Sequence, residues 1–225
     1  MATPLLDGDL RTTLSLLEAM QAHPHCRLLF LSSAGTLYGD RGEPAGESDP
    51  LRPRSYHGAG KAAAEHFIQA WASQHSGTAI ILRPSNVYGE GQRARRGFAI
   101  VPTAMQCALD GTELQVYGDG VQIRDYLHVE DLTSLCLAAL DAPMPDGTHI
   151  FNAASGIATS LKQLIAGIET VSELSIKQRH VAPRPADVNT ILLDPGAARG
   201  SFGWSASVHL QQGLAKTWHW FRLHA

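Results

Sequence analysis

The chain has 225 residues, of which 44% are hydrophobic and 17% charged, and a formal net charge of −3 at pH 7. This is globular composition, enough for one large domain or two small ones, and it excludes a disordered chain. The balance of charge gives no footprint for nucleic acid, and no apolar run approaches a membrane span.

The N-terminus "MATPLLDGDL" carries two acids and no basic region, unlike a secretory signal, so a cytoplasmic location is expected. Next, "RTTLSLLEAMQAH" (11–23) places Leu14, Leu17 and Met20 on one helical stripe. "RLLFLSS" (27–33) is a continuous apolar run ending in small polar residues, which is how a strand covered on both faces reads. "RSYHGAGKAAAE" (54–65) opens a helix that runs on to about residue 74, with Ala59, Ala63, Phe67 and Ala70 as its inward stripe. His57 and Lys61 are four residues apart and share a helix face, while Tyr56 points off it. "TAIILRPSN" (78–86) is a second covered strand. "VPTAMQCALDG" (101–111) is a helix stopped by Gly111, and "HVEDLTSLCLAAL" (128–140) is another. "THIFNAASG" (148–156) is a third strand, followed by the helix "SLKQLIAGIETV" (160–171), whose Ser160 and Gln163 are spaced as a capping box. "LQQGLAKTWHWFRLH" (210–224) is a final amphipathic helix. Cys26, Cys107 and Cys136 are distant from one another, odd in number and set in apolar runs, which reads as small buried hydrophobes in a reducing compartment.

Alternating strands and helices imply a parallel α/β sheet, whose ligands bind beyond the carboxyl ends of the strands. Three such ends carry "SSAG", "RPSN" and "NAASG", all small and polar, so a ligand can come close to the backbone. The sheet reads as incomplete, with about three strands where a doubly wound domain has five or six. No G-x-G-x-x-G opens a helix after an early strand, and "GEG" (89–91) and "GDG" (118–120) lie in loops.

Seven blocks in order, "SSAGTLYGD" (32–40), "GAGKAAAE" (58–65), "LRPSNVYGEGQ" (82–92), "YGDGVQIRDYLHVEDL" (117–132), "FNAASG" (151–156), "RPADV" (184–188) and "FGW" (202–204), resemble the extended short-chain dehydrogenase/reductases. The branch they resemble is the nucleotide-sugar epimerases of the UDP-glucose 4-epimerase type. The resemblance implies an α/β fold, a partial Rossmann-type parallel sheet with a smaller C-terminal substrate-binding domain. Residues 1–90 would form the C-terminal half of the NAD-binding domain. Residues 91–225 would form the nucleotide-sugar domain, with 124–155 packing back on the sheet. The family's amino-terminal half, with its pyrophosphate-binding turn, has no counterpart in the sequence. The resemblance also implies a homodimer through helices 11–23 and 57–74, with neither nucleic acid nor membrane as partner.

The chemistry that the resemblance implies is hydride abstraction and return at sugar C4 on NAD. A tyrosinate takes the hydroxyl proton, a lysine four residues on lowers its pKa, and a Ser or Thr bonds the sugar. Lys61 matches the lysine. The tyrosine slot holds His57 and the serine slot Ala34, with Ser33 and Thr36 as flanking substitutes. Three readings of position 57 stand: a working histidine base, an inert substitution, or a one-residue slip that brings Tyr56 to the Lys61 face. An imidazole, with a free pKa of about 6.5, can accept a proton at neutral pH, but it reaches less far than a phenol. Lys61, Pro84 and Ser32 fall at NAD-contacting positions. Asn86 and Arg124 would hold diphosphate or sugar, Arg184 and Asp187 the diphosphate and uridine ribose, and Ile100, Gln115 and Tyr117 would lie along the uracil. Dehydratases and decarboxylases of the family carry acids where this chain has Gly35 and Thr36, which leaves epimerase or ketoreductase chemistry. The alternative is a non-catalytic remnant that binds a sugar nucleotide or only a partner chain.

Three further features have plainer readings. "HPHC" (23–26) lacks a second ligand pair and reads as exposed histidines. "RARR" (93–96) is a mobile loop over the diphosphate or a solvated charge run, and Trp204, Trp218 and Trp220 are core anchors.

Overall fold

The structure is a computed structural model and describes residues 10–23, 25–95, 99–183 and 188–224. Helix α1 (Thr12–Met20) leads to strand β1 (Leu28–Leu31), the one-turn helix α2 (Ala34–Leu37) and the long helix α3 (Tyr56–His75). Strands β2 (Thr78–Pro84) and β3 (Asn86–Tyr88) precede helix α4 (Ile100–Asp110). Then come β4 (Leu114–Tyr117), β5 (Ile123–Arg124), β6 (Tyr126–His128), helix α5 (Val129–Asp141) and β7 (Gly147–Ala153). The chain continues through β8 (Thr159–Ser160), α6 (Leu161–Ser172), β9 (Gln178–Val181), α7 (Gly196–Phe202) and α8 (Leu210–His224).

β1, β2 and β7 form a parallel sheet in that order, with Leu28 opposite Ala79 and Thr78 opposite Gly147. The sheet is covered on both faces, which is why β2 is apolar throughout. Ala79 and Ile81 face α1 and α3, packing on Leu17, Ile68 and Trp71. Ile80 and Leu82 face α5, packing on Leu132, Leu135 and Phe151. A separate core joins α4, α6 and α8 around Met105, Leu114, Leu164, Leu214 and Trp218. Trp204 belongs to the α5 core, whereas Trp220 is half-buried and stacks on His224.

The inward stripe of α3 differs from the sequence expectation. Phe67 is 44% exposed and Ala59 and Ala70 are also exposed, while Ala64, Glu65, Ile68, Trp71 and Ala72 are buried. The buried stripe lies about one position further along the helix. It places the larger Ile68 and Trp71 against β2, and Glu65 goes inward because it meets Arg83 of β2. The small strands were not legible as elements: β3 pairs parallel with β6, β4 with β9, and β5 antiparallel with β8. These short runs lack the continuous apolar stretch that marks β1 and β2 and are defined by pairing with remote segments.

Candidate functional site

The corner between β1 and α3 carries the residues expected to do chemistry. Ser55 caps α3, its hydroxyl accepting from the Gly58 amide at 3.1 Å. Gly58 lies so close to α2 that an added Cβ would collide with the Thr36 carbonyl oxygen and stand 3.1 Å from Pro53 Cβ. The missing side chain therefore brings the first turn of α3, with His57, against the segment carrying Ser33 and Thr36. His57 and Lys61 are both half-buried on this helix, and Tyr56 is 78% exposed. Lys61 Nζ donates to the Leu31 carbonyl at 3.2 Å and stands 4.9 Å above the Phe30 ring. Thr36 Oγ1 donates to the Ser33 carbonyl at 3.1 Å. Ala34, in the serine slot, is 1% exposed.

Beneath this corner lies a buried polar chain. Ser32 Oγ donates to Glu65 Oε1 at 2.5 Å. Arg83 meets the same carboxylate through Nε at 3.0 Å and Nη2 at 2.6 Å, a bidentate pair. Arg83 Nη1 donates to Tyr38 Oη at 2.7 Å, and that hydroxyl donates to Asn152 Oδ1 at 2.8 Å. Burial lowers the Arg83 pKa, but the bonds and charges of Glu65 and Tyr38 together outweigh it and hold the guanidinium more firmly protonated than usual. Burial pushes the Tyr38 phenol up against the pull of Arg83. Ser32 thus points into the protein with its proton engaged, and Pro84 ends β2 in the same buried layer.

Past the strand ends a cavity of about 350 Å³ opens between β3, α4, β4 and β5. Asn86, Ile100, Gln115, Tyr117 and Arg124 all line it, together with Gln122, Tyr126 and Asn189. Arg184 and Asp187 lie outside the described residues, but Pro183 and Val188, on either side of that segment, are in the cavity wall. Of the 93–96 run, Arg96 also lies outside the described residues. A neighbouring hollow of about 260 Å³ shares Asn86, Ile100 and Tyr126. Asn86 faces the corner between β1 and α3 too, since a Cβ on Gly35 would sit 4.0 Å from its Oδ1. Arg124 Nη1 donates to the Ile123 carbonyl at 2.7 Å and the Asn189 carbonyl at 3.3 Å.

Arg124 and its neighbour do not pair with each other. Asp125 is fully buried and accepts from Ser85 Oγ at 3.0 Å, from the Ser155 amide and hydroxyl at 2.9 Å each, and from the Gly156 amide at 2.8 Å. Burial raises its carboxyl pKa, opposed by those four bonds. Its carbonyl accepts from both the amide and Nδ2 of Asn86 at 3.0 Å. Sequence reasoning passed over Asp125 because its partners lie 30 to 40 residues away along the chain. The exposed His23, His25 and Cys26 belong to no metal-holding group among the described residues. Contrary to the sequence expectation, none of the three cysteines is fully buried: Cys26 sits in the exposed turn before β1, and Cys107 and Cys136 are half-buried at the edges of their helices' cores.

Known proteins match this geometry and its sequence. A family model described as the NAD dependent epimerase/dehydratase family matches residues 2–154. A putative UDP-glucose 4-epimerase of Methanocaldococcus jannaschii is 29% identical over 222 residues, covering 97% of this chain and 71% of its own. A dTDP-4-dehydro-6-deoxyglucose reductase of Escherichia coli is 31% identical over 190 residues, covering 84% of this chain and 60% of its own. Among solved structures, the UDP-glucose 4-epimerase of Thermus thermophilus in complex with NAD superposes with a TM-score of 0.90 at 28% identity, covering 98% of this chain and 71% of that one. The chain therefore spans about 60 to 71% of the length of these relatives.

Proposed function

This chain belongs to the NAD dependent epimerase/dehydratase family, and from that premise we propose that it binds a UDP-sugar in the manner of a 4-epimerase. The observation that carries the reading is the convergence of Asn86, Ile100, Gln115, Tyr117 and Arg124 on one cavity, although they come from four different elements. Their chemistry suits the parts of such a ligand. Arg124 offers a fork for a phosphate, Gln115 an amide for the edge of a base, and Tyr117 and Ile100 flat or apolar surface for its face. The Asn86 amide hydrogen that meets the Asp125 carbonyl leaves Oδ1 as an acceptor towards a sugar hydroxyl. Arg184 and Asp187 would complete the diphosphate and ribose contacts.

NAD is the cofactor the family implies, and it supplies hydride transfer when bound. The fit of the described residues to it is partial. Lys61 is the group suited to the nicotinamide ribose and Pro84 to the ring, but Ser32 is turned to Glu65. No described strand leads through a glycine-rich turn into a helix that could hold the pyrophosphate. Titration calorimetry with UDP and with NAD tests the reading. UDP binding that weakens roughly 10- to 100-fold in Arg124→Ala is expected, and absence of UDP binding overturns it.

A second reading, a binder without turnover, is favoured by one observation: a buried methyl at Ala34 where the family's chemistry needs a hydroxyl. His57→Tyr combined with Ala34→Ser is expected to raise UDP-glucose/UDP-galactose interconversion above that of the parent protein. Turnover by the parent at the level of the double variant would instead support His57 as the proton acceptor and Ser33 or Thr36 as the sugar's partner.

A further inference from the structure

We propose that Asp125 is a positioning residue that aims Arg124 and Asn86 into the cavity, which rests on the reading of that cavity as a nucleoside-diphosphate site. The argument begins with the clasp around residues 123–125. The loop after β7 returns to this segment twice. Ser155 and Gly156 bond the Asp125 carboxylate, and four residues further on β8 pairs with β5, with Arg124 opposite Thr159. The segment is thus held at Arg124 by the pairing with β8 and at Asp125 by the bonds to its carboxylate. Neighbouring side chains on an extended segment point to opposite faces. Fixing the Asp125 carboxylate inward therefore fixes the guanidinium of Arg124 outward, where it lines the cavity. The carbonyl of the same residue takes the backbone amide and Nδ2 of Asn86, setting the orientation of the second ligand-facing group. Ser85, the residue before Asn86, bonds the carboxylate as well. One residue thus holds both polar arms through separate contacts. A carboxylate suits this place because it offers acceptors only, and all four of its partners donate.

The test uses Asp125→Asn, which keeps the shape but turns a donor towards amides that need an acceptor. UDP and uridine affinities are measured by calorimetry for the parent protein, Asp125→Asn, Arg124→Ala and the double variant. The expected result is a loss of UDP affinity of roughly 10- to 100-fold in Asp125→Asn with less than about a threefold change for uridine. The double variant should bind UDP no more weakly than Arg124→Ala by more than about threefold, since both changes remove the same contact. Equal losses for UDP and uridine, or losses that multiply in the double variant, overturn the proposal while leaving the cavity reading intact. Failure of the parent to bind UDP overturns both. If Asp125→Asn does not fold, Ser155→Ala removes one donor and leaves the carboxylate; a smaller loss confined to UDP is expected, and an unchanged UDP affinity counts against the proposal.

Discussion

Arg83 and Glu65 are 3% and 0% exposed, so neither can be removed alone without stranding the other's charge inside the protein. Arg83→Met is expected to cost about 3–5 kcal/mol in denaturant unfolding, and Arg83→Met with Glu65→Leu distinctly less. The pair was half legible: Arg83 lies in an apolar strand, but the inward turn of Glu65 depends on the rotation of a helix whose small residues leave that rotation open in the sequence. Three phenols carry a pH signature. Burial pushes the Tyr126 pKa up to about 12 against the opposing charge of Arg124, and raises Tyr38 and Tyr88 as well. The folded chain then keeps these protons at pH values where the unfolded chain has released them. Their stabilising contribution is complete below about pH 10 and is lost as pH rises towards about 12. Denaturation midpoints measured across that interval should fall, and Tyr126→Phe should flatten the fall. Of the cavity-lining residues, Asn86 and Arg124 were readable because each sits in a recognisable block. Asp125 stands in the same block, yet its partners come from distant turns, so spacing alone gave it no role.

At the scale of elements, legibility followed whether an element carries its own hydrophobic pattern. Every helix of nine residues or more and each strand of the central sheet was readable from hydrophobic pattern and end signals. The two- to four-residue strands around the cavity were not, because they are defined by pairing with remote segments rather than by their own pattern. Two substitutions probe the joints. Gly58→Ala gains up to about 1 kcal/mol of helix propensity but drives a methyl into the Thr36 carbonyl; a net loss of about 1–3 kcal/mol in unfolding is expected. The same variant should shift the amide resonances of residues 33–37, which a purely local helix effect would leave in place. Ser160 closes a reciprocal cap with Gln163, each side chain bonding the other's backbone amide. Ser160→Ala should cost about 1 kcal/mol, read as a lowered unfolding midpoint without change in the far-ultraviolet spectrum of the folded state.

Across the whole molecule, β7 joins the central sheet by pairing parallel with β2. The alternation of strand and helix made the parallel sheet legible, and the polar strand end "RPSN" closes on Asn86, which lines the cavity. The larger hydrophobic core was less legible, because it is assembled from α4, α6 and α8, which are about 50 residues apart from one to the next. Within it, Gly213 of α8 lies so close to Tyr88 and His128 that a Cβ would stand 2.9 Å from the His128 ring and collide with the Tyr88 hydroxyl. Tyr88 Oη in turn donates to the Leu210 carbonyl at 3.4 Å. The last described helix therefore backs the strands whose first residues, Asn86 and Tyr126, face the ligand cavity. During synthesis on the ribosome, a nascent chain would have its parallel sheet ready long before residues 210–224 emerge from the exit tunnel. Under the proposed reading of the cavity as a nucleotide site, competence to capture its ligand would then arrive as a late, abrupt event of biogenesis, leaving stalled or prematurely terminated polypeptides blind to it.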